Sequence, residues 1–478
     1  MNLRRLILLA VYFVGTGLLS TFLISCGNLA SEGLVIFTRV PADMLNFHEE
    51  SFTHQYPEAQ IVALDMENPA GSETILTADF YSACSPYISY DAKQILFLAQ
   101  EKQHDPWQVW ELDLKNGNSR KITDFQESCS GPAYLPGDRL VFSRIMPNEG
   151  YGSMAVLFTM NLDGTDLNRI TFQPHLDHPA TILRDGRVLM LSRQLYPETG
   201  DMMYLAMRPN GTKAELFYKG TKNTMLGNQA YETLDGNVYF TQWETGKDPK
   251  TDLVSVLQNR PLYSKVNHTS EIPGSFYSVT SLPVGDLLVS YQPSETETAG
   301  LYTFSVAGGS IGNAIIDYPD YHIVEPVLVE VYTRPRHLPD EVNKAESTGQ
   351  LFCQDINVTA KPFDNPDEAV KASMIEVLGL DESMGIVPVE EDGSFYLKVL
   401  ADTPFRIQTL DDKKQVINGP SGWLWLRPFE RRGCVGCHED PELVPKNFVP
   451  LSVKKQPVSI PVKDTQETTL GSANAKTE

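Results

Sequence analysis

Near the C-terminal end of the chain stands Cys434-Val435-Gly436-Cys437-His438. Two cysteines separated by two residues can each add to one vinyl group of a haem. A histidine directly after the second then falls beneath the iron as an axial ligand. With six cysteines and nine histidines in the chain, the combination arises by chance on the order of one time in a thousand. The expectation is one covalent haem c, held through Cys434 and Cys437, with His438 on the iron. Three other uses compete. The cysteines could form a disulfide with each other. A zinc ion on Cys434, Cys437 and His438 needs a fourth ligand, and Glu439 or Asp440 sits too close for good geometry. A thioredoxin-like pair would want βαβ surroundings, which this region lacks.

The second axial position is open in the sequence. His337, His175, His178, Met374 and Met384 are the candidates, and an empty or water-filled position is the alternative. A filled position favours electron transfer, whereas an open one permits ligand binding or peroxide chemistry. Trp423 and Trp425 are placed to line the haem or the core. Arg427, Arg431 and Arg432 could pair with its propionates or stay solvated. Gly433 and Gly436 leave room for a tight turn. His175-Leu176-Asp177-His178 could begin a metal site; the plainer reading is a blade loop bonded to backbone. There is no G-x-S-x-G elbow of a serine hydrolase.

Haem c is attached outside the cytoplasm, and the N-terminus agrees. Arg4 and Arg5 precede an uncharged apolar run over residues 6–24, the layout of an export signal or a membrane anchor. The run ends in Leu23-Ile24-Ser25-Cys26-Gly27, which resembles a bacterial lipobox. Residues 1–25 are therefore expected to be a signal peptide, and Cys26 to be lipidated. The mature protein would sit in the periplasm or at the cell surface, anchored to a membrane by lipid. Gly27 points to the outer membrane. Removing residues 1–25 costs two basic and no acidic residues, taking the net charge from −22 to −24. That acidity excludes a nucleic-acid backbone as main partner. It suits a cationic redox protein or a small molecule, neither identified by sequence.

The apolar residues show what must position the motif. Hydrophobic runs recur at Val35-Ile36-Phe37, Ile95-Leu96-Phe97, Leu140-Val141-Phe142, Val188-Leu189-Met190, Val238-Tyr239-Phe240 and Leu287-Leu288-Val289. Their last members are spaced by 60, 45, 48, 50 and 49 residues. Gly-Asp or Asp-Gly turns precede most of them. Pro-bearing segments such as Ser85-Pro86, Gly131-Pro132 and His178-Pro179 lie upstream. Four short strands per unit is the arithmetic of a propeller blade, and six units predict six blades over residues 26–333. The first unit lacks its opening strand, and residues 322–328, with Glu325-Pro326, are expected to supply it. A β-sandwich is the competing architecture. Leu162-Asp163-Gly164-Thr165-Asp166 with Arg169-Ile170-Thr171 resembles the repeats of TolB-type propellers. Cys84 and Cys129, about one repeat apart, are placed to form a disulfide or to stay as two buried thiols. Cys353 has no evident partner.

Residues 334–349 read as a linker. Residues 350–462 read as a small β-sandwich-like domain carrying the haem motif, with a hairpin turn at Glu390-Glu391-Asp392-Gly393. Residues 463–478 read as a disordered tail. The fold class is all-β throughout. Residues 387–395, Ala401-Asp402-Thr403-Pro404 and residues 423–439 resemble the family that shares the middle domain of the hydrazine synthase alpha subunit. The resemblance implies a propeller paired with a domain holding one c-type haem. The hydrazine-forming subunit has a second haem motif and this sequence has one, so hydrazine synthesis itself is not carried over. The expected function is an exported lipoprotein c-type cytochrome, in electron transfer or small-molecule redox chemistry, with the propeller as docking platform. The alternative is a non-catalytic propeller scaffold.

Overall fold

A computed structural model describes residues 33–44, 55–148, 150, 152–246, 250–283, 285–358, 371–434, 442 and 447–461. Cys26, Cys437 and His438 lie outside them. Each recurrent apolar run is the second strand of a four-stranded antiparallel unit, as in Gln94–Gln100 and Val188–Gln194. These strands are buried on both faces, since each sheet has a neighbour on either side. Such strands read as unbroken hydrophobic runs and not as alternation. Most outer strands are short, as in Thr74–Ile75 and Ser119–Lys121. Six such blades form the ring, the third and fourth joined by one parallel bridge from Ala155 to Leu176.

The ring closes as the Glu325-Pro326 segment suggested. Tyr321–Leu328 pairs antiparallel with Leu34–Pro41 and becomes the innermost strand of the first blade. Every innermost strand has a register shift against its neighbour, as at Cys84/Tyr87, Ser130/Ala133 and Ile36/Thr38. A bulge adds a residue and bends the strand locally. The first-blade bulge carries Glu325, which is 2% exposed. Its carboxylate accepts from the Thr38 hydroxyl at 2.7 Å, the Ser85 amide at 2.7 Å and the Ser85 hydroxyl at 3.2 Å. The Glu325 amide donates to Ser278 Oγ at 2.8 Å. One residue thus ties the sixth, first and second blades together.

The second domain is two four-stranded sheets around one core. In one, Thr348–Cys353 pairs antiparallel with Phe395–Leu400 and parallel with Arg431–Cys434, and Val458–Ser459 extends the far side. In the other, Met374–Leu378 lies between Ser383–Pro388 and Arg406–Leu410, with Val416–Asn418 at the edge. Leu351, Phe395 and Leu397 from the first sheet meet Ile375, Val377 and Ile407 from the second.

The Cys84–Cys129 disulfide is not formed. Cys129 is a free thiol, with Sγ 3.7 Å from Thr123 Oγ1, while Cys84 Sγ lies 3.9 Å from Ser85 Oγ. The two residues are on equivalent innermost strands, but in separate sheets. Burial pushes the Cys129 thiol up to about 12, and burial together with Glu325 pushes Cys84 well up.

Glu325→Ala is expected to destabilise the protein by on the order of 3 kcal/mol, because three donors lose a buried acceptor. Glu325→Gln should lose less. Denaturant unfolding checks this, and an Ala variant as stable as wild type would remove Glu325 as the tie.

Candidate functional site

Cys434 ends a strand. Residues Arg431–Cys434 pair with Thr348–Cys353 in parallel, with partners Gln350↔Arg431, Leu351↔Arg432, Phe352↔Gly433 and Cys353↔Cys434. The Gln354 amide donates to the Cys434 carbonyl at 2.9 Å, carrying the ladder one step on. Gly433 is needed for packing: a Cβ there would meet the Phe352 ring at 2.5 Å. The turn expected at Gly433 is therefore replaced by strand. Cys434 is half-buried and packs against the domain core, as do Met384, Val389, Ile417 and Leu424.

The residues before the motif anchor it to the ring. Trp425 is 1% exposed and wedges into the apolar seam of the third and fourth blades, among Leu135, Val141, Leu157, Ile170 and Met190. Trp423 Nε1 donates to the Tyr196 carbonyl at 2.7 Å. Glu430 is 1% exposed. It accepts from the Arg427 amide at 2.8 Å, from Arg432 Nε and Nη2 at 3.0 and 2.8 Å, and from the Lys213 amide of the fourth blade at 2.9 Å. Arg427 Nη1 donates to the Arg169 carbonyl at 2.8 Å, and its guanidinium lies over Phe172. Beyond the motif, Glu442 accepts from the Leu262 amide of the fifth blade at 2.8 Å. The motif is thus bracketed by two contacts with the ring.

The matched family fits this domain. Residues 329–439 match the family model of the hydrazine synthase alpha subunit middle domain. The second domain is similar to the hydrazine synthase alpha middle domain over these residues. A relative, hydrazine synthase subunit alpha of Kuenenia stuttgartiensis, is 22% identical over 541 aligned positions, covering 84% of this chain. This chain spans 65% of that relative's length. The solved Kuenenia stuttgartiensis hydrazine synthase superposes with a TM-score of 0.76 at 19% identity, over 89% of this chain and 71% of that one. That likeness establishes the shared fold. TolB from Acinetobacter baumannii has a TM-score of 0.43 at 16% identity, over 63% of this chain and 67% of TolB.

Within the second domain the arginine expectation divides. Arg432 is bound to Glu430, and Arg427 to the propeller, so neither is placed as a free anion partner. Arg431 is exposed, and its guanidinium lies 5.7 Å from the Phe429 ring centre. Trp425 belongs to the interface between domain and ring. Among the axial-ligand candidates, Met384 packs on the core that Cys434 also touches. Met374 lies in the same sheet as Met384, and His337 is exposed on the linker beside Gly137.

His175 and His178 belong to the propeller interior. His178 Nδ1 lies 3.4 Å from Ser130 Oγ, against Gly131. His175 Nδ1 is 2.8 Å from Ser192 Oγ, which donates to Asp177 Oδ1 at 2.6 Å; Gln173 Nε2 also donates to Asp177 at 3.0 Å. Among the described residues no cluster of three histidine, cysteine or acidic side chains could hold a metal. Desolvation holds His175 down at about 3 and raises Asp177 to about 6. The pairing that sequence reasoning missed is that of Cys353 with Cys434, 81 positions apart on neighbouring strands.

These shifts act in opposite directions on stability. Asp177, with its folded pKa raised, contributes stability that fades as pH rises from about 4 to 6. His175, with its folded pKa lowered, contributes stability lost as pH falls from about 6.5 towards 3, each pH unit being worth up to about 1.4 kcal/mol. Between pH 4 and 6 the two oppose each other. Asp177→Asn should therefore lose stability on acidification from pH 6.5 to 4 more steeply than wild type. Unfolding curves at stepped pH test this, and parallel slopes would refute it. Glu430→Ala, which leaves Arg432 buried without its partner, should cost about 3–5 kcal/mol. It should also expose the linker to limited proteolysis; an unchanged cleavage pattern counts against the anchor.

Proposed function

We propose that this protein is an exported lipoprotein cytochrome, in which the propeller presents a small β domain carrying one covalent haem c. The supporting observation is the placement of Cys434 at the end of a strand in a domain that matches the hydrazine synthase alpha middle domain, with Val435-Gly436-Cys437-His438 next in the chain. The described part of the site suits such a group. Cys434 is half-buried at the edge of an apolar core, so a flat hydrophobic ring bonded there would be shielded on its inner side. Phe429, Phe448 and Val449 are exposed apolar side chains flanking the motif in sequence. Cys434 and Cys437 would hold the group by thioether bonds and His438 would ligate its iron. When bound, it would supply one-electron redox chemistry at the metal.

This chain's own residues do the positioning. Trp425 and Glu430 hold the strand before the motif on the third and fourth blades, and Glu442 holds the segment after it on the fifth. The strand that ends at Cys434 is thereby held beside the third and fourth blades. The acidic surface suits a cationic redox partner, and lipid at Cys26 would keep the assembly at a membrane, the outer membrane on the strength of Gly27. Hydrazine synthase is the name of the relative, and its reaction is not carried to this chain, since this sequence has a single C-x-x-C-H.

The test is the absorption spectrum of the full chain produced in cells that mature c-type cytochromes. Soret and α bands and a haem stain that survives denaturing electrophoresis are expected. Cys434→Ser with Cys437→Ser should abolish the covalent stain and leave far-UV circular dichroism unchanged. Absence of both bands and stain from the wild-type protein would sink the cytochrome and leave the propeller as a scaffold.

A further inference from the structure

Cys353 and Cys434 end their strands side by side. They are the last Cα partners of a parallel ladder, held in register by the Gln354 amide on the Cys434 carbonyl. Partners on adjacent strands lie about 4.8 Å apart, inside the roughly 4.4–6.8 Å that a disulfide spans. In-register residues on parallel strands project to the same face, and both cysteines meet the same core. Cys353 is 1% exposed and Cys434 is half-buried. The arrangement is that of an accessible thiol with a sheltered one directly behind it.

We propose that Cys353 is the resolving thiol of Cys434, and that the two form a disulfide in the haem-free protein. This rests on the reading of Cys434 as a haem-attachment residue. The Cys434 thiolate attacks one sulfur of a small disulfide donor, such as glutathione disulfide, breaking the donor's S–S bond and releasing one glutathione. The Cys353 thiolate then attacks Cys434 Sγ in the mixed disulfide, forming the Cys353–Cys434 bond and releasing the second glutathione. The two protein thiols are oxidised by two electrons, the donor is reduced by two, and the two protons end on the released thiols. The order is set by exposure, because the buried thiol cannot meet the donor first. While the bond stands, Cys434 has no thiol to add to a vinyl group, so haem attachment waits for a reductant. The same bond staples the motif strand to the sheet before any cofactor is present.

The experiment uses the full chain made without haem maturation. It is treated with glutathione disulfide, alkylated, digested and read by mass spectrometry. The expected product is a cross-linked pair of peptides, with fragment ions locating the link between Cys353 and Cys434 and with Cys437 alkylated. A Cys434–Cys437 bond, a link from Cys353 to Cys437, or alkylation of both Cys353 and Cys434 would overturn the pairing. A second arm measures covalent haem after incubation of the oxidised chain with reduced haem, with and without prior dithiothreitol. Dithiothreitol should raise the yield several-fold for wild type and leave Cys353→Ser and Cys353→Ala unchanged. An equal response in all three overturns the lock. No covalent haem under any condition overturns the cytochrome reading, while the peptide map still decides the disulfide.

Discussion

A ring of sheets is locked when its two ends share a blade. Here that constraint falls on the pairing of Leu34–Pro41 with Tyr321–Leu328. The hydrogen bond from Thr38 to Glu325 spans 287 positions of sequence, so almost the whole propeller must be in place before it forms. Glu325 has φ of +56°, a conformation unfavourable for a side chain with a Cβ. The carboxylate's partners in the first and second blades, and the amide's partner in the sixth, offset that strain. Closure also sets the direction in which the chain leaves the ring. Val329 donates to the Leu34 carbonyl, and Tyr332 donates to the carbonyls of Tyr90 and Ile88. The chain therefore crosses the second blade and runs towards the third and fourth, where the second domain sits.

That path explains a glycine that a turn alone would not. Gly186 has φ of +93° in an Asp-Gly turn, but a Cβ there would also lie 2.1 Å from the Arg336 carbonyl oxygen. The turn serves the blade and clears the linker at once. Arg208 with Glu341, Asn210 with Asp340 and Lys344 with Asn168 then fasten successive linker residues to the third and fourth blades. These exposed polar contacts are individually weak. The burial of Trp425 holds the two domains together more strongly, since truncating a buried tryptophan costs about 3–5 kcal/mol.

The blades were legible because their physics is local. A strand covered on both faces must be continuously apolar, and a tight turn must be glycine-rich, so both signals repeat at the blade period. The closing strand was legible for the same reason, since Glu325-Pro326 repeats the Pro-bearing pattern of Ser85-Pro86. Contacts between distant segments left no such trace. Arg427 and Arg432 sit three and two residues from Glu430, but their burial is set by Lys213 and Arg169, more than 200 positions away. By their types and spacing alone, they were candidate propionate partners. Cys84 and Cys129, for which both a disulfide and two buried thiols were open, take the second. Equivalence within a repeat gives matching environments on separate sheets, and matching environments are not contact. Cys353 and Cys434 share no repeat at all, and only the parallel ladder brings them together.

The two anchors around the motif have a mechanical consequence. Glu430 is tied to Lys213 on the fourth blade, and Glu442 to Leu262 and Arg260 on the fifth. Twelve positions separate them, and the C-x-x-C-H lies wholly between. The described residues on either side of the motif are thus held to the ring by carboxylates, Glu430 buried and Glu442 half-buried. The pins belong to two neighbouring blades, so their separation is set by how those blades pack on each other. The anchoring of the second domain is therefore shared between neighbouring blades and does not rest on a single contact.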